Sequence, residues 1–165
     1  MPEREQISKP RFLCETALIA AIYAVLTLLF APISYGPVQI RFSEALCILP
    51  FFTPAAVPGL FIGCVLANLY TIGLGPMDIV VGSLATLLAA FLTWKIRKKS
   101  KWLLPLPSVI ANAFLVGWVL TVQYGVGYWF NVVTVGIGQA IACYAVGMPL
   151  FFLLRRYQTR IFKRI

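Results

Sequence analysis

Long apolar runs, separated by short stretches rich in proline and glycine, fill most of the chain. A helix needs about 20 apolar residues to cross a bilayer, and proline and glycine commonly mark the turns between helices. The pattern predicts six membrane-spanning helices, at residues 12–33, 38–52, 59–74, 77–94, 103–124 and 132–154. We therefore expect a single transmembrane domain over residues 1–165. Its expected parts are an N-terminus of residues 1–11, a six-helix bundle of residues 12–154 and a basic tail of residues 155–165.

The second predicted helix is the shortest and the most polar. It reads VQIRFSEALCILPFF and carries Gln39, Arg41, Ser43 and Glu44. At 1.5 Å per residue it spans about 23 Å, less than the roughly 30 Å of a hydrocarbon core. We still assign it as a crossing helix, because two basic termini on the same side of a membrane require an even number of passes.

Composition supports a membrane protein. Hydrophobic residues make up 61% of the chain and charged residues 12%, and the mean hydropathy is +0.89. A soluble domain averages about 45–50% apolar and about 25% charged residues. We therefore expect an all-α integral membrane protein whose surface is covered mainly by the lipid bilayer.

The positive charges mark one side of the predicted bundle. The net charge is +9, and every Lys and Arg except Arg41 lies within residues 4–11, 95–101 or 155–164, next to apolar runs. Cytoplasmic loops of membrane proteins carry an excess of Lys and Arg, so both termini and the central basic loop are expected in the cytoplasm. On a soluble protein this charge would suggest nucleic-acid binding, but its position beside the spans argues against a nucleic-acid partner.

This orientation places the other loops outside the cell. They are the segments 32–37, 71–76 and 124–131. The turn between the second and third helices then lies on the cytoplasmic side and carries no charge. This indicates that it lies against the membrane surface or contacts another protein.

Two charges inside the second predicted helix require an explanation. A charge at the bilayer centre costs about 2.5–3.5 kcal/mol on insertion scales, and Arg41 and Glu44 are spaced so that they share one helix face. They could form an internal ion pair that holds the bundle, or face a cavity or a ligand. Arg41 lies in the expected first turn, where the helix dipole disfavours a cation, and this weighs against a purely structural pair.

Further polar and aromatic residues fall near the expected outer helix ends. They are Gln39, Asn68, Asp78, Trp118, Tyr124 and Trp129. With Arg41 and Glu44 they predict an outward-facing pocket for a small molecule, with rings available for stacking. Each also has a simpler explanation, since acids suit helix N-termini, amides bond between helices and aromatic residues line membrane interfaces.

The first helix carries two overlapping patterns of small residues. Ala17 and Ala21 form one small-xxx-small pair, and Ala20 and Ala24 form the other. Small residues let helices approach closely in lipid. The pattern indicates either packing within the chain or a docking face for a second membrane subunit.

Several classes of function lack the residues they need. The chain contains no His, its four Cys form no C-x-x-C pair, and no G-x-x-x-x-G-K-[ST] motif occurs. We therefore expect no enzyme, no cofactor and no metal site, and no ATP-binding loop in this chain. A self-sufficient secondary transporter, for which no internal repeat is visible, and a purely structural membrane subunit stay open as alternatives.

The second helix also carries a family resemblance. The segment VQIRFSEAL at 38–46 resembles the hallmark of the QueT family, and further matching stretches are LPFFTP at 49–54, PGLFIG at 58–63, NL at 68–69, GPMD at 75–78 and GSLAT at 82–86. Members of this family are regarded as substrate-binding (S) components of energy-coupling factor (ECF) transporters. The resemblance implies a six-helix bundle in the bacterial plasma membrane that captures a queuosine precursor, a 7-deazaguanine base, near the outer face.

The resemblance also implies a partner. S components dock on an ECF module, which consists of a coupling transmembrane subunit and two cytoplasmic ATPases. The docking face would be the small residues of the first helix, namely Ala17, Ala20, Ala21 and Ala24. The S component is thought to topple in the membrane and release its substrate inside.

A deazaguanine substrate would assign roles to the polar residues. Glu44 would accept hydrogen bonds from the two donors of the pyrimidine edge, while Arg41, Gln39 or Asn68 would donate to the carbonyl. Stacking partners would be Trp118, Tyr124 or Trp129, and Asp78 would pair with an aminomethyl cation if the precursor carries one. Another vitamin or nucleobase is the alternative substrate.

Overall fold

Apolar helical segments follow one another along the chain. The structure, a computed structural model, describes residues 8–34, 41–70 and 76–158. The α-helices are α1 (Lys9–Leu29), α2 (Ala31–Ser34), α3 (Ala56–Tyr70), α4 (Ser83–Ile96), α5 (Leu106–Tyr124), α6 (Tyr128–Ala140) and α7 (Met148–Arg156). Between them lie 3-10 helices at Phe42–Phe51 and Lys101–Leu103, and wider π-helical turns at Asp78–Gly82 and Ile141–Gly147. The π-turns lead directly into α4 and join α6 to α7. No strand occurs within these residues.

Within the described residues, four continuous helical stretches are long and apolar enough to cross a membrane. They are Lys9–Leu29, Asp78–Ile96, Lys101–Tyr124 and Tyr128–Arg156. Two shorter apolar helices, Phe42–Phe51 and Ala56–Tyr70, occupy the positions of the second and third predicted spans. The all-helical membrane class is therefore confirmed, whereas the count of six crossings and the cytoplasmic termini stay predictions.

The second predicted helix takes a different form. It is a 3-10 helix over Phe42–Phe51, and Arg41 precedes it with extended backbone at φ −87° and ψ 102°. The sequence suggested that Arg41 lies in the first turn of a helix. The structure instead places it just before the 3-10 helix. Pro50 lies inside the segment, where its ring would clash with the carbonyl four residues earlier in an α-helix. At about 2.0 Å rise per residue, the 3-10 winding lets ten residues reach about 20 Å.

This 3-10 helix is the centre of the bundle rather than a peripheral element. All its residues from Ser43 to Pro50 are buried, and it packs against α1, α3, α4 and α7. Beyond its C-terminal end, Phe52 packs against Phe51 and Phe151 with ring centroids 5.0 and 5.4 Å away. The polar N-terminal half of the segment is therefore enclosed by the long helices.

The loop expected at residues 124–131 is shorter than predicted. Helix α6 already begins at Tyr128, so only Gly125–Gly127 connect it to α5. Gly125 ends α5 with φ +68°, a left-handed conformation that glycine adopts without steric cost.

Helices α1 and α3 approach each other through small residues. A Cβ atom added at Gly63 would lie 2.8 Å from both the Ala20 carbonyl oxygen and the Tyr23 Cβ. Ala20 is only 4% exposed. Ala20 therefore packs within the chain, and its role on a partner-docking face stays a prediction.

Replacing Gly63 with Ala should destabilise the bundle by about 1–3 kcal/mol, because the methyl group must displace the α1 backbone. The check is thermal unfolding of the detergent-solubilised protein. Gly136→Ala in α6 is the matched control, since its Cβ would lie at an ordinary 3.5 Å from the Ala113 Cβ. Equal melting temperatures for the two variants would contradict the close α1–α3 contact.

Candidate functional site

The carboxylate of Glu44 lies at the centre of the buried polar residues. The residue is 2% exposed. Its Oε1 accepts a hydrogen bond from Tyr23 Oη at 2.5 Å, and Thr86 Oγ1 lies 3.5 Å from the same oxygen. Its Oε2 accepts one from Ser108 Oγ at 2.8 Å. Hydrogen bonds to a buried charge are stronger than those between neutral groups. Three hydroxyls from α1, α4 and α5 thus stabilise a carboxylate inside an apolar bundle.

A second polar chain begins at Arg41. Its Nη2 donates to Asn68 Oδ1 at 3.3 Å, and Asn68 Nδ2 donates to the Asp78 carbonyl oxygen at 3.0 Å. The carboxylate of Asp78 in turn accepts a hydrogen bond from Gln123 Nε2. This chain links the N-terminal end of the 3-10 helix to α3, to the π-turn before α4 and to the C-terminal end of α5.

Arg41 and Glu44 do not form the ion pair that was one interpretation of their spacing. In the described part of the chain, the only Lys or Arg side chain within 4.0 Å of a carboxylate is Arg11, which pairs with Glu15 at 2.8 Å. Cys64 lies between the two networks, 4.0 Å from Arg41 Nη1 and 3.5 Å from Thr86 Oγ1. Arg41 donates instead to Asn68 Oδ1 on α3.

A pocket opens beside Arg41 between α5 and α6. Its lining residues are Arg41, Asn112, Val116, Val135 and Gln139. Each of the two helices contributes a valine and an amide spaced four residues apart, which places them on one helix face. The space that solvent can enter corresponds to about one water molecule. The pocket is therefore narrow, with a cation on one wall and amides on another.

The amides of the pocket are tied to the Glu44 network through one hydroxyl. Ser108 Oγ lies 3.0 Å from Gln139 Nε2 and 3.3 Å from Asn112 Nδ2. Asn112 Nδ2 also donates to the Ser108 carbonyl oxygen at 3.0 Å. Both amides are buried, so their orientation is set by Ser108 rather than by solvent.

The structure brings together part of the predicted site. Arg41 lines the pocket, Asn68 and Asp78 belong to its hydrogen-bonded chain, and Glu44 lies behind the pocket without lining it. Gln39 lies outside the described residues.

The aromatic candidates lie elsewhere. Trp118, Tyr124 and Trp129 are 46%, 67% and 70% exposed and do not line the pocket. Their depth along the helices agrees with an interfacial belt. The structure does not bring these three rings to the pocket, whose apolar walls come from the two valines instead.

Sequence reasoning left out most of the hydroxyls and both pocket amides. Asn112 and Gln139 were not among the site residues predicted from the sequence. The signal that could have found them is their spacing, since Ser108 and Asn112 are four residues apart on α5. Within the described ranges, no three His, Cys, Asp or Glu side chains are grouped to hold a metal ion.

Comparison with known proteins agrees with the membrane class. The sequence profile described as QueT transporter matches residues 13–156. A curated relative, the queuosine precursor transporter QueT of Lactococcus lactis subsp. cremoris (strain MG1363), is 37% identical over 82 residues, which are 48% of this chain and 47% of the relative. The match thus spans about half the length of that relative. No solved structure matches the chain. Because the profile covers most of the sequence, the chain belongs to the QueT transporter family.

Proposed function

We propose that this chain is the substrate-capture subunit of an ATP-driven importer and that it binds a queuosine precursor, a 7-deazaguanine base. The observation that carries the proposal is a pocket inside an apolar bundle that is lined by Arg41 and by the amides of Asn112 and Gln139. Polar groups at such depth are costly and commonly mark transport pathways. The name of the Lactococcus lactis relative supplies the substrate class.

The pocket residues suit the edge of a deazaguanine. That edge carries a carbonyl acceptor next to a ring N–H and an exocyclic amine. A guanidinium has only donors, whereas an amide offers one carbonyl acceptor. Arg41 would donate to the base carbonyl, and the amides would accept from its two donors. The valines would contact the faces of the ring, which gives this part of the site an apolar character.

Binding requires the pocket to widen. A fused bicyclic base is much larger than the single water that fits between the walls. Val116 on α5 and Val135 on α6 would have to separate, and the Gly-rich connection Gly125–Gly127 between these helices offers a hinge. For Asp78 to pair with an aminomethyl cation, its carboxylate would likewise have to release the hydrogen bond from Gln123 Nε2.

The energy for import would come from an ECF module, a coupling membrane subunit with two ATPases. The chain itself has no P-loop motif. We place the docking surface on the outward side of α1, which we call the α1 face and define by Ala17, Leu18, Ala21, Ile22 and Val25, all exposed. Ala24 is half-buried beside it. Two alanines on an exposed apolar face would let a partner helix approach closely.

The proposed topology has six crossings and both termini in the cytoplasm of a bacterium. Its support is the distribution of charge, since basic residues lie at the start of α1, in and beside the α4–α5 connection, and at the end of α7. The polar chain from Arg41 to Gln123 would then lie at the outer side, where substrate arrives.

A binding titration tests this proposal directly. The detergent-purified chain is titrated with queuine, its aminomethyl and cyano precursors, guanine, riboflavin and biotin. Saturable binding restricted to the deazaguanines is expected. Tight binding of another vitamin would overturn the substrate, and uptake driven by protons or sodium through this chain alone would instead indicate a secondary transporter. A folded, monodisperse protein that binds nothing would indicate a structural subunit.

A further inference from the structure

We propose that Glu44 and Ser108 are positioning residues that fix the amides of Asn112 and Gln139 with both carbonyl oxygens towards the pocket. The pocket then selects ligands that present two adjacent hydrogen-bond donors. The identity of the ligand rests on the proposed function above, whereas the orientation of the amides follows from the hydrogen bonds alone.

The first step concerns the single hydrogen of the Ser108 hydroxyl. An ionised carboxylate only accepts hydrogen bonds, and a serine hydroxyl has one hydrogen to donate. Ser108 Oγ donates to Glu44 Oε2 at 2.8 Å, so in this arrangement its hydrogen is used by the Glu44 carboxyl group. Tyr23 and Thr86 approach the other carboxylate oxygen, so Glu44 has partners on both of its oxygens.

The second step concerns the amides. With its hydrogen used, Ser108 Oγ can only accept from Gln139 and Asn112, which lie at 3.0 and 3.3 Å. Each amide must therefore turn its NH₂ group to the serine. The same orientation of Asn112 is held by its bond to the Ser108 carbonyl oxygen at 3.0 Å.

The third step follows from the geometry of an amide, whose oxygen points away from its nitrogen. Among the described residues, none donates a hydrogen bond to Asn112 Oδ1 or Gln139 Oε1, and both residues line the pocket. The two oxygens are thus acceptors supplied by adjacent helices. A ligand with acceptors in place of its donors would leave buried carbonyl groups without partners, which is costly.

The test is a cycle of two variants and two ligands. Ser108→Ala removes the hydroxyl that holds both amides. Affinity for 7-deazaguanine should fall about 10-fold or more, as expected when a bound donor loses its buried acceptor. Affinity for 7-deazahypoxanthine, which lacks the exocyclic amine, should fall clearly less, because only one donor is affected. The matched control is Ser83→Ala, since Ser83 Oγ is buried and has no hydrogen-bond partner within the described ranges.

The outcomes separate the two proposals. Equal losses for both ligands, or no loss, would overturn the positioning role while leaving capture of deazaguanines intact. If the wild type binds neither base, the proposed function fails, and the orientation is then tested without ligand by NMR of side-chain amides labelled with ¹⁵N. The NH₂ groups of Asn112 and Gln139 should resist exchange with deuterated water in the wild type and in Ser83→Ala, and exchange faster in Ser108→Ala. Rapid exchange in the wild type would overturn the inference.

Discussion

Replacing Arg41 with Met lowers the affinity for a 7-deazaguanine base by about 10–100-fold, if the guanidinium donates to the base carbonyl. A hydrogen bond to a charged group contributes about 1.5–3 kcal/mol, and each 1.4 kcal/mol corresponds to a factor of ten. Methionine fills a similar volume but has no donor. Equilibrium titration of the purified variant with the preferred precursor measures the loss.

The interpretation of this loss depends on two further variants. Arg97 lies in the basic α4–α5 connection, where it packs on Trp94, and it does not line the pocket. The variant Arg97→Met should therefore bind the precursor like the wild type. Arg41→Lys keeps the charge but loses the planar fork of donors, so an intermediate affinity is expected. Wild-type affinity for Arg41→Met, in a protein that elutes as a single species, would remove Arg41 from the binding site.

Filling the α1 face should strongly reduce uptake without affecting substrate binding. The double variant Ala17→Leu with Ala21→Leu covers the two exposed small residues with bulky side chains and prevents a partner helix from approaching closely. We expect uptake of labelled precursor to fall about 10-fold or more in cells that contain the coupling module, since a loss of 1.4 kcal/mol in docking suffices for that factor.

The control for this variant is another alanine exposed on the bundle surface. Ala145, in the π-turn before α7, is exposed, and Ala145→Leu should leave uptake unchanged. Titration of the purified double variant should give the wild-type affinity. Normal uptake by the double variant would show that the partner does not use the α1 face.

The sequence was sufficient to predict which polar residues share a depth in the bundle. Helix breaks place Arg41, Asn68 and Asp78 near the same level, and the structure links them by hydrogen bonds. The energetic cost of an intramembrane charge also predicted that Glu44 must have partners. Depth can be read from a sequence because each residue adds a fixed rise along a helix.

The direction of a side chain around its helix could not be predicted in the same way. Helices that are apolar on all sides show no polar stripe, so Trp118 and Trp129 had the expected depth but point outwards. Hydroxyl residues give little signal as well, because they commonly bond their own helix, as Thr86 does with the Gly82 carbonyl oxygen at 3.1 Å. The partners of Glu44 were therefore missed although the need for them was clear.

The hydroxyl of Tyr23 is one link between the two surfaces at which we propose that substrate and partner bind. Tyr23 lies on the buried side of α1, whose other side is the α1 face, and its bond to Glu44 leads through Ser108 to the pocket amides. Coupling between two binding sites is thermodynamically reciprocal. If bound substrate changes the affinity of α1 for a partner by a given factor, the bound partner therefore changes the affinity of the pocket for substrate by the same factor. In such a system, release inside the cell and recognition of the loaded subunit are governed by a single free energy of coupling.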